Sequence, residues 1–154
     1  MNSAAANVIG SNYQAVMMAP TEILAKQHFA LAKKIFSSTN INIEFLSGKT
    51  SSKEKNIINK NLNSGKINFL IGTHALFQKG ISFNNLGLVI IDEQHKFGVK
   101  QRKALSEKGG SNCDVLLLSA TPIPRTLMMT IYGDMDFSII SQKPKNRKEV
   151  ITYS

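Results

Sequence analysis

Four consecutive residues able to do chemistry follow one apolar run: Asp92, Glu93, Gln94 and His95 come directly after residues 88–91. The run is aliphatic throughout, which is typical of a strand buried on both faces of a parallel sheet. One carboxylate here could hold Mg²⁺ through its water shell, and the other could orient or deprotonate a water that attacks a phosphate. The alternative is that Asp92 caps the next helix and Glu93 lies in its first turn.

Three further apolar runs also end in small polar residues. They are residues 15–18, followed by Pro20 and Thr21; residues 67–71, followed by Gly72, Thr73 and His74; and residues 115–118, followed by Ser119, Ala120 and Thr121. Helical patterns separate these runs, which indicates right-handed βαβ crossovers in a parallel sheet. Because the carboxyl ends of parallel strands share one edge, we expect the four polar clusters to meet there. Each threonine alone could equally be a helix cap.

The remaining pattern completes an α/β domain. It predicts further strands at residues 43–46 and 137–140, and helices at residues 1–10, 22–36, 53–62, 98–108 and 124–132. The second helix should begin after the N-cap Thr21, and the third after a capping box of Ser51 and Glu54. Apolar spacing predicts that Leu24, His28, Leu31 and Ile35 face the core from the second helix, and Ile57, Ile58 and Leu62 from the third. On this pattern His28 lies at the edge of the core.

Residues 47–50, Ser-Gly-Lys-Thr, follow a predicted strand and could be compared with a phosphate-binding loop. The complete signature needs a second glycine five positions before Gly48, where this chain has Ile43. We therefore interpret the segment as a basic turn, with an unrelated phosphate loop as the weaker alternative.

Composition limits the class of protein. The chain has 154 residues and a formal net charge of +9, from 19 basic and 10 acidic side chains, which favours an anionic partner such as nucleic acid. A single cysteine, Cys113, excludes an internal disulfide and fits a cytoplasmic protein, in which this cysteine would serve packing. Residues 142–154 are basic and are predicted to be a linker.

Four segments carry a resemblance to a known family: residues 18–28, 72–78, 92–99 and 119–126. In residue type, order and spacing they closely resemble RecG helicases, bacterial ATP-dependent enzymes of superfamily 2 that remodel branched DNA. The related motor of the transcription-repair coupling factor usually has glutamate where this chain has Gln94. The resemblance implies a RecA-like P-loop NTPase fold, a three-layer α/β architecture with a mainly parallel sheet.

The resemblance also implies a role for each cluster. Asp92 resembles the Walker B ligand of Mg²⁺ and ATP, Glu93 resembles the catalytic base, and Gln94 and His95 resemble residues that connect the nucleotide site to motif III. Ser119, Ala120 and Thr121 resemble motif III, which couples hydrolysis to DNA movement. Pro20, Thr21, Gly72, Thr73 and His74 resemble motifs Ia and Ib, which touch the DNA backbone. Such contacts position a strand without reading its sequence.

The chain departs from the family pattern because no Gly-rich Walker A loop occurs in it. We expect residues 1–141 to form a partial first motor domain and residues 142–154 to lead towards a second one. Alone, the chain is expected to bind ATP weakly or not at all, and not to hydrolyse it. The family places the Walker A strand beside residues 115–118, so we expect either a gap there or an exposed apolar edge.

The sequence thus predicts part of a bacterial, cytoplasmic, ATP-dependent DNA helicase or translocase. With ATP and Mg²⁺ as cofactors, it would couple hydrolysis to duplex movement on branched DNA during recombination and repair. Two alternatives stay open at this point. One is a non-catalytic basic α/β module that binds DNA or a protein partner, and the other is the transcription-repair coupling factor motor.

Overall fold

A parallel sheet forms the centre of the computed structural model, which describes residues 2–78, 80–92 and 113–119. Its strands are β1 (Gln14–Met18), β2 (Ile43–Leu46), β3 (Phe69–Gly72), β4 (Leu86–Asp92) and β5 (Asp114–Leu118), in the spatial order β2-β3-β1-β4-β5. Helices α1 (Asn2–Gly10), α2 (Glu22–Ile35) and α3 (Ser52–Asn63) and a 3-10 helix, His74–Phe77, complete the described elements. Every strand pairing is parallel, so the predicted α/β fold is confirmed.

The sheet is covered on both faces, which gives three layers. Successive side chains of a strand point to opposite faces, and the core divides accordingly. Val16, Leu70, Val89 and Ile91 pack with Ile58 and Leu62 of α3. Ala15, Met17, Ile71, Leu88 and Ile90 pack with α1 and with Ala32 and Phe36 at the end of α2. Because β4 is buried along its length between β1 and β5, the prediction of an interior parallel strand is confirmed.

Helix α2 buries a different side from the predicted one. Thr21 caps it as expected, but Leu31 and Ile35 are each 47% exposed. The buried residues are Ala25 and Ala32. The helical spacing of apolar residues predicts that the large side chains are buried. In the structure the alanine side of the helix is buried instead, because a helix with small side chains can lie closer to the sheet.

Helix α3 begins with the predicted capping box, in which Ser51 accepts from the Glu54 N–H and the Glu54 carboxylate accepts from the Ser51 N–H. Ile58 and Leu62 are buried as predicted, but Ile57 is 53% exposed because it points away from the sheet. Gly65 follows the helix with φ of +73°, a left-handed conformation that suits glycine at this place.

Side-chain amides hold the amino-terminal edge of the sheet together. The buried Gln14 amide donates to the carbonyls of Leu62, at 3.0 Å, and Ile67, at 2.7 Å. Its oxygen accepts from the N–H groups of Asn84, at 2.8 Å, and Asn85, at 3.1 Å. Since the Ile67 carbonyl bonds to Gln14, β3 begins at Phe69, two residues later than the apolar run predicts.

Strand β5 is the last strand of the described sheet and pairs directly with β4. No described strand pairs with β5 on the side away from β4, and Val115 on this strand is 36% exposed. Which of the two expected outcomes holds beside residues 115–118 stays a prediction. Cys113 is half-buried against the core, and burial, aided by the charge of Asp114, raises the pKa of its thiol. This supports a packing role for the cysteine.

The predicted elements at residues 98–108, 124–132 and 137–140, and the predicted linker, lie outside the described residues. Among the helices that are described, none has the length and apolar character needed to cross a membrane.

Candidate functional site

The polar clusters that follow the strands converge on one edge of the sheet. Met18, the last residue of β1, pairs with Gly72 of β3 on one side and Ile91 of β4 on the other. Asp92, the last residue of β4, pairs with Leu118 of β5. The residues that follow these strand ends are therefore neighbours, as the sequence predicted for a parallel sheet.

Asp92 forms a hydrogen-bonded pair with a residue from another element. Its Oδ2 lies 2.8 Å from Nε2 of His28, and the side chains are 18% and 21% exposed respectively. Alternation along β4 explains the encounter: Leu88 and Ile90 face the α1 and α2 layer, and Asp92 continues the same side. His28 is partly buried, as predicted for a residue at the edge of the core, and it also lies at the candidate site.

Thr73 is a buried polar residue whose hydroxyl has no hydrogen-bond partner among the described contacts. It is the N-cap of the 3-10 helix, yet its side chain makes no capping bond. A buried hydroxyl without a partner costs stability, so such a group in a native site calls for an explanation.

Gly72 has a packing reason to be glycine. A Cβ atom at this position would collide with the backbone carbonyl oxygen of Leu46 in β2. The same carbonyl accepts from the N–H of Thr73, at 3.2 Å, so the chain stays close to β2 directly after β3. His74, the next residue of the cluster, is exposed.

The start of α2 carries an ionic cluster beside the edge. Thr21 Oγ1 accepts from the N–H of Leu24 at 3.3 Å. Glu22 lies 2.8 Å from Lys26 and 3.5 Å from Lys49. The hydrogen bond from Lys26 lowers the pKa of the Glu22 carboxyl; slight desolvation opposes it, and the Lys49 charge adds to it.

Residues 47–50 form a self-contained turn. The Ser47 N–H donates to Thr50 Oγ1 at 3.0 Å, the Lys49 N–H to Ser47 Oγ at 3.2 Å, and the Thr50 N–H to the Ser47 carbonyl at 3.2 Å. Because these N–H groups are used inside the turn, they cannot cradle a phosphate. The interpretation as a basic turn is confirmed, and the Lys49 side chain is 84% exposed.

The described residues can be tested for their fit to Mg²⁺. They contain no group of three histidine, cysteine or acidic side chains that could enclose a metal ion. Mg²⁺ typically keeps several waters and is held by one or two carboxylates together with phosphate oxygens. A single, partly exposed carboxylate at the strand end, as Asp92 provides, fits that mode and does not fit a metal enclosed by protein alone.

The structure describes part of the predicted site. Pro20, Thr21, Gly72, Thr73, His74, Asp92 and Ser119 are described and lie at the carboxyl edge, whereas Glu93, Gln94, His95, Ala120 and Thr121 fall outside the described residues. Sequence reasoning missed His28 as a site residue. Its position two turns after the N-cap of α2 contained the signal, because that helix starts at the same edge.

Comparisons with known proteins agree with this geometry. The model of the DEAD/DEAH box helicase family matches residues 2–130. The chain is 51% identical over 146 residues to the ATP-dependent DNA helicase RecG of Aquifex aeolicus, covering 94% of this chain and 18% of that protein. RecG of Thermotoga maritima is 50% identical over 142 residues, again with 18% of its length covered. The chain thus spans about a fifth of these curated relatives.

Solved structures of helicases are also similar to this chain. A RecG bound to a three-way DNA junction matches with a TM-score of 0.70 and 46% identity over 90% of this chain and 18% of that one. The helicase Lhr of Mycobacterium smegmatis matches with a TM-score of 0.62 at 16% identity over 77% of this chain and 16% of that one, which concerns the fold alone. The match to the family model covers most of the chain, and the chain therefore belongs to the DEAD/DEAH box helicase family.

Proposed function

We propose that this chain is part of the first motor domain of a RecG-type, ATP-dependent DNA helicase that remodels branched DNA. One observation carries the proposal: the acidic end of β4 and the motif-like polar ends of β1 and β3 lie at one edge of a sheet whose sequence is about half identical to RecG. The RecG relatives are named ATP-dependent DNA helicases, and a related structure contains a three-way junction.

In this proposal Asp92 holds Mg²⁺ through water, and the bound Mg²⁺–ATP supplies the phosphoryl group that is transferred to water. Glu93 takes the proton of the attacking water, while Gln94 and His95 connect this site to Ser119, Ala120 and Thr121. Partial exposure of Asp92 at the strand end supports its part, because a hydrated metal needs room beside the carboxylate.

Thr21, Thr73 and His74 would contact the DNA backbone, with Pro20 and Gly72 shaping the chain that presents them. The location of Thr21 and of the exposed His74 at this edge supports their part. The net charge of +9 supports an anionic partner, through attraction that falls as salt rises. Such contacts carry no base preference.

Residues 1–141 would be the motor-domain part and residues 142–154 the connection towards the next domain. We place the complete protein in the bacterial cytoplasm, where its DNA substrate and ATP are found. A non-catalytic binding module and a coupling-factor motor are the outcomes against which the proposal is tested.

The test uses a hybrid in which this chain replaces the matched 146-residue segment of Aquifex aeolicus RecG, here called the RecG hybrid. We expect branched DNA to stimulate ATP hydrolysis by the RecG hybrid. Glu93→Gln should abolish turnover while nucleotide binding persists, because the water loses its base. A folded hybrid that binds DNA without any ATPase activity would favour the binding module, and a Glu93→Gln variant with normal turnover would refute the base.

A further inference from the structure

His28 and Asp92 are 64 positions apart in the sequence, and the fold brings them to hydrogen-bond distance. The imidazole approaches from α2, and the carboxylate closes β4. Both side chains are about four-fifths buried, so solvent competes only weakly for the contact. A pair of this kind restricts the rotation of the carboxylate about its own bond.

The position of His28 is determined by the packing of α2. Ala25 and Ala32, three residues before and four residues after His28, are both fully buried. Residues at this spacing share one side of a helix. Because Ala25 and Ala32 are both buried, His28 lies on the inward side of the helix, and from there its imidazole reaches the carboxylate at the end of β4.

We propose that His28 is a positioning residue for Asp92: its Nε2–H donates to Oδ2, which would fix the carboxylate and leave the other oxygen available to a hydrated Mg²⁺. This rests on the function proposed above, in which Asp92 serves Mg²⁺. Residues that hydrogen-bond to a metal-binding carboxylate, without touching the metal themselves, hold it in place. Their loss costs roughly 10- to 100-fold in metal affinity or activity.

The first experiment needs neither metal nor nucleotide and uses this 154-residue chain. It contains three histidines, so ¹⁵N-histidine labelling gives few imidazole signals, and His28→Gln identifies those of His28. We expect the Nε2 of His28 to carry a hydrogen that is protected from exchange, and Asp92→Asn to remove that protection. A His28 ring whose hydrogen is on Nδ1, or whose exchange ignores Asp92→Asn, overturns the proposal.

The second experiment compares four versions of the RecG hybrid. They are the parent, His28→Ala, His28→Gln and the control Gln27→Ala. Gln27 is the exposed neighbour of His28 on the same helix. We expect His28→Ala to lower kcat about 10- to 100-fold and to raise the Mg²⁺ concentration for half-maximal rate, with little change in the KM for branched DNA. His28→Gln can donate from a similar reach and should recover most of the rate. Gln27→Ala should match the parent.

The two experiments separate the possible failures. An inactive parent hybrid speaks against the proposed function, while the imidazole measurement still decides whether His28 holds Asp92. An active parent whose His28→Ala and Gln27→Ala variants share the same kcat and Mg²⁺ requirement overturns the positioning role. Melting of the variants identifies a merely structural contact, which would lower the Tm but leave the rate of the folded fraction unchanged.

Discussion

Gln14 at the amino edge of the sheet and Thr73 at its carboxyl edge are buried polar residues with opposite hydrogen bonding. At the amino edge, the Gln14 side chain makes four hydrogen bonds and so saturates both atoms of its amide. At the carboxyl edge, the buried Thr73 hydroxyl makes none within the described contacts, and the Asp92 carboxylate keeps some exposure. Saturated polar groups stabilise one arrangement of the chain, whereas a buried group without a partner lowers the stability of the fold. We infer that the amino edge contributes to stability through Gln14, whereas Thr73 at the carboxyl edge reduces it.

Amide side chains repeat this pattern along the amino edge. The Asn42 N–H donates to Asn68 Oδ1 at 2.9 Å, and the Asn42 amide donates to the Lys66 carbonyl at the same distance. The Asn85 amide donates to the carbonyl of Asn12 at 3.2 Å. These bonds are uncharged and local to loops before strands, so this edge depends little on salt or pH.

Of the variants considered, Gly72→Ala should lower the stability of the fold most. Because Gly72 lies at the carboxyl edge and serves packing, this result would show that the carboxyl edge also contributes to stability. The added Cβ meets the Leu46 carbonyl, and backbone on both sides would have to shift. We expect a loss of about 4 kcal/mol or more in the free energy of unfolding, measured in urea.

Gly48→Ala is the matched control for Gly72→Ala, since it lies at the same edge and its Cβ would meet only the His74 ring at 3.5 Å. We expect it to unfold nearly as the parent does. If Gly72→Ala also unfolded nearly as the parent does, the assignment of a close contact between Gly72 and the Leu46 carbonyl would be wrong.

Gln14→Leu tests the amino edge directly. The substitution keeps the size of the side chain but leaves the N–H groups of Asn84 and Asn85 and the Ile67 carbonyl without their partner. Each such group costs about 1–3 kcal/mol, so we expect a loss of about 3 kcal/mol in the free energy of unfolding.

Two variants sharpen the result for Gln14. Gln14→Glu retains the acceptor but sets a carboxylate beside the carbonyls of Leu62 and Ile67, and we expect it to be destabilised as well. The exposed Gln27→Ala should be neutral. A stable Gln14→Leu would remove the contrast between the edges.

Thr73→Val should act in the opposite direction from Gln14→Leu. Replacing the unpartnered hydroxyl by a methyl group of similar shape removes a desolvation cost, so we expect stability to stay level or to rise by up to about 1 kcal/mol. Unfolding in urea measures this effect. A clear loss of stability in Thr73→Val would show that the hydroxyl does have a hydrogen-bond partner.

The smallest expected effect is on the pH dependence of stability that arises from the capping box of α3. This helix begins at the carboxyl edge. Hydrogen bonds from Ser51 lower the pKa of the Glu54 carboxyl below its ordinary value of 4.5. A lowered pKa in the folded state stabilises the fold above 4.5, and that contribution is lost as the pH falls through the lowered value. We expect Ser51→Ala to make the urea midpoint less dependent on pH below 4.5. An identical pH profile in both proteins would show that the box does not act on Glu54.

Much of the fold could be predicted because it depends on local patterns. The aliphatic run of β4, the N-cap Thr21 and the capping box of Ser51 and Glu54 are properties of neighbouring residues, and each was confirmed. The prediction of which side of α2 is buried was wrong in part. Helical spacing alone does not show whether Ala25 and Ala32 or Leu31 and Ile35 face the core. For the site, the sequence indicated its edge, while the roles of its residues stay predictions.

By itself, the sequence determined the approximate positions of β1 to β5, the N-caps of α2 and α3, and the convergence of the polar strand ends. Strands and caps depend on neighbouring residues, and the alternation of strands with helices predicts that the strands are parallel. Only the tertiary structure decided that His28 meets Asp92, that Gln14 joins the end of α3 to two loops, and that Thr73 is buried without a partner among the described contacts. These contacts join residues 48 to 71 positions apart, or depend on how closely helices approach the sheet. Distances of that kind arise from packing of the whole core, which no local pattern contains.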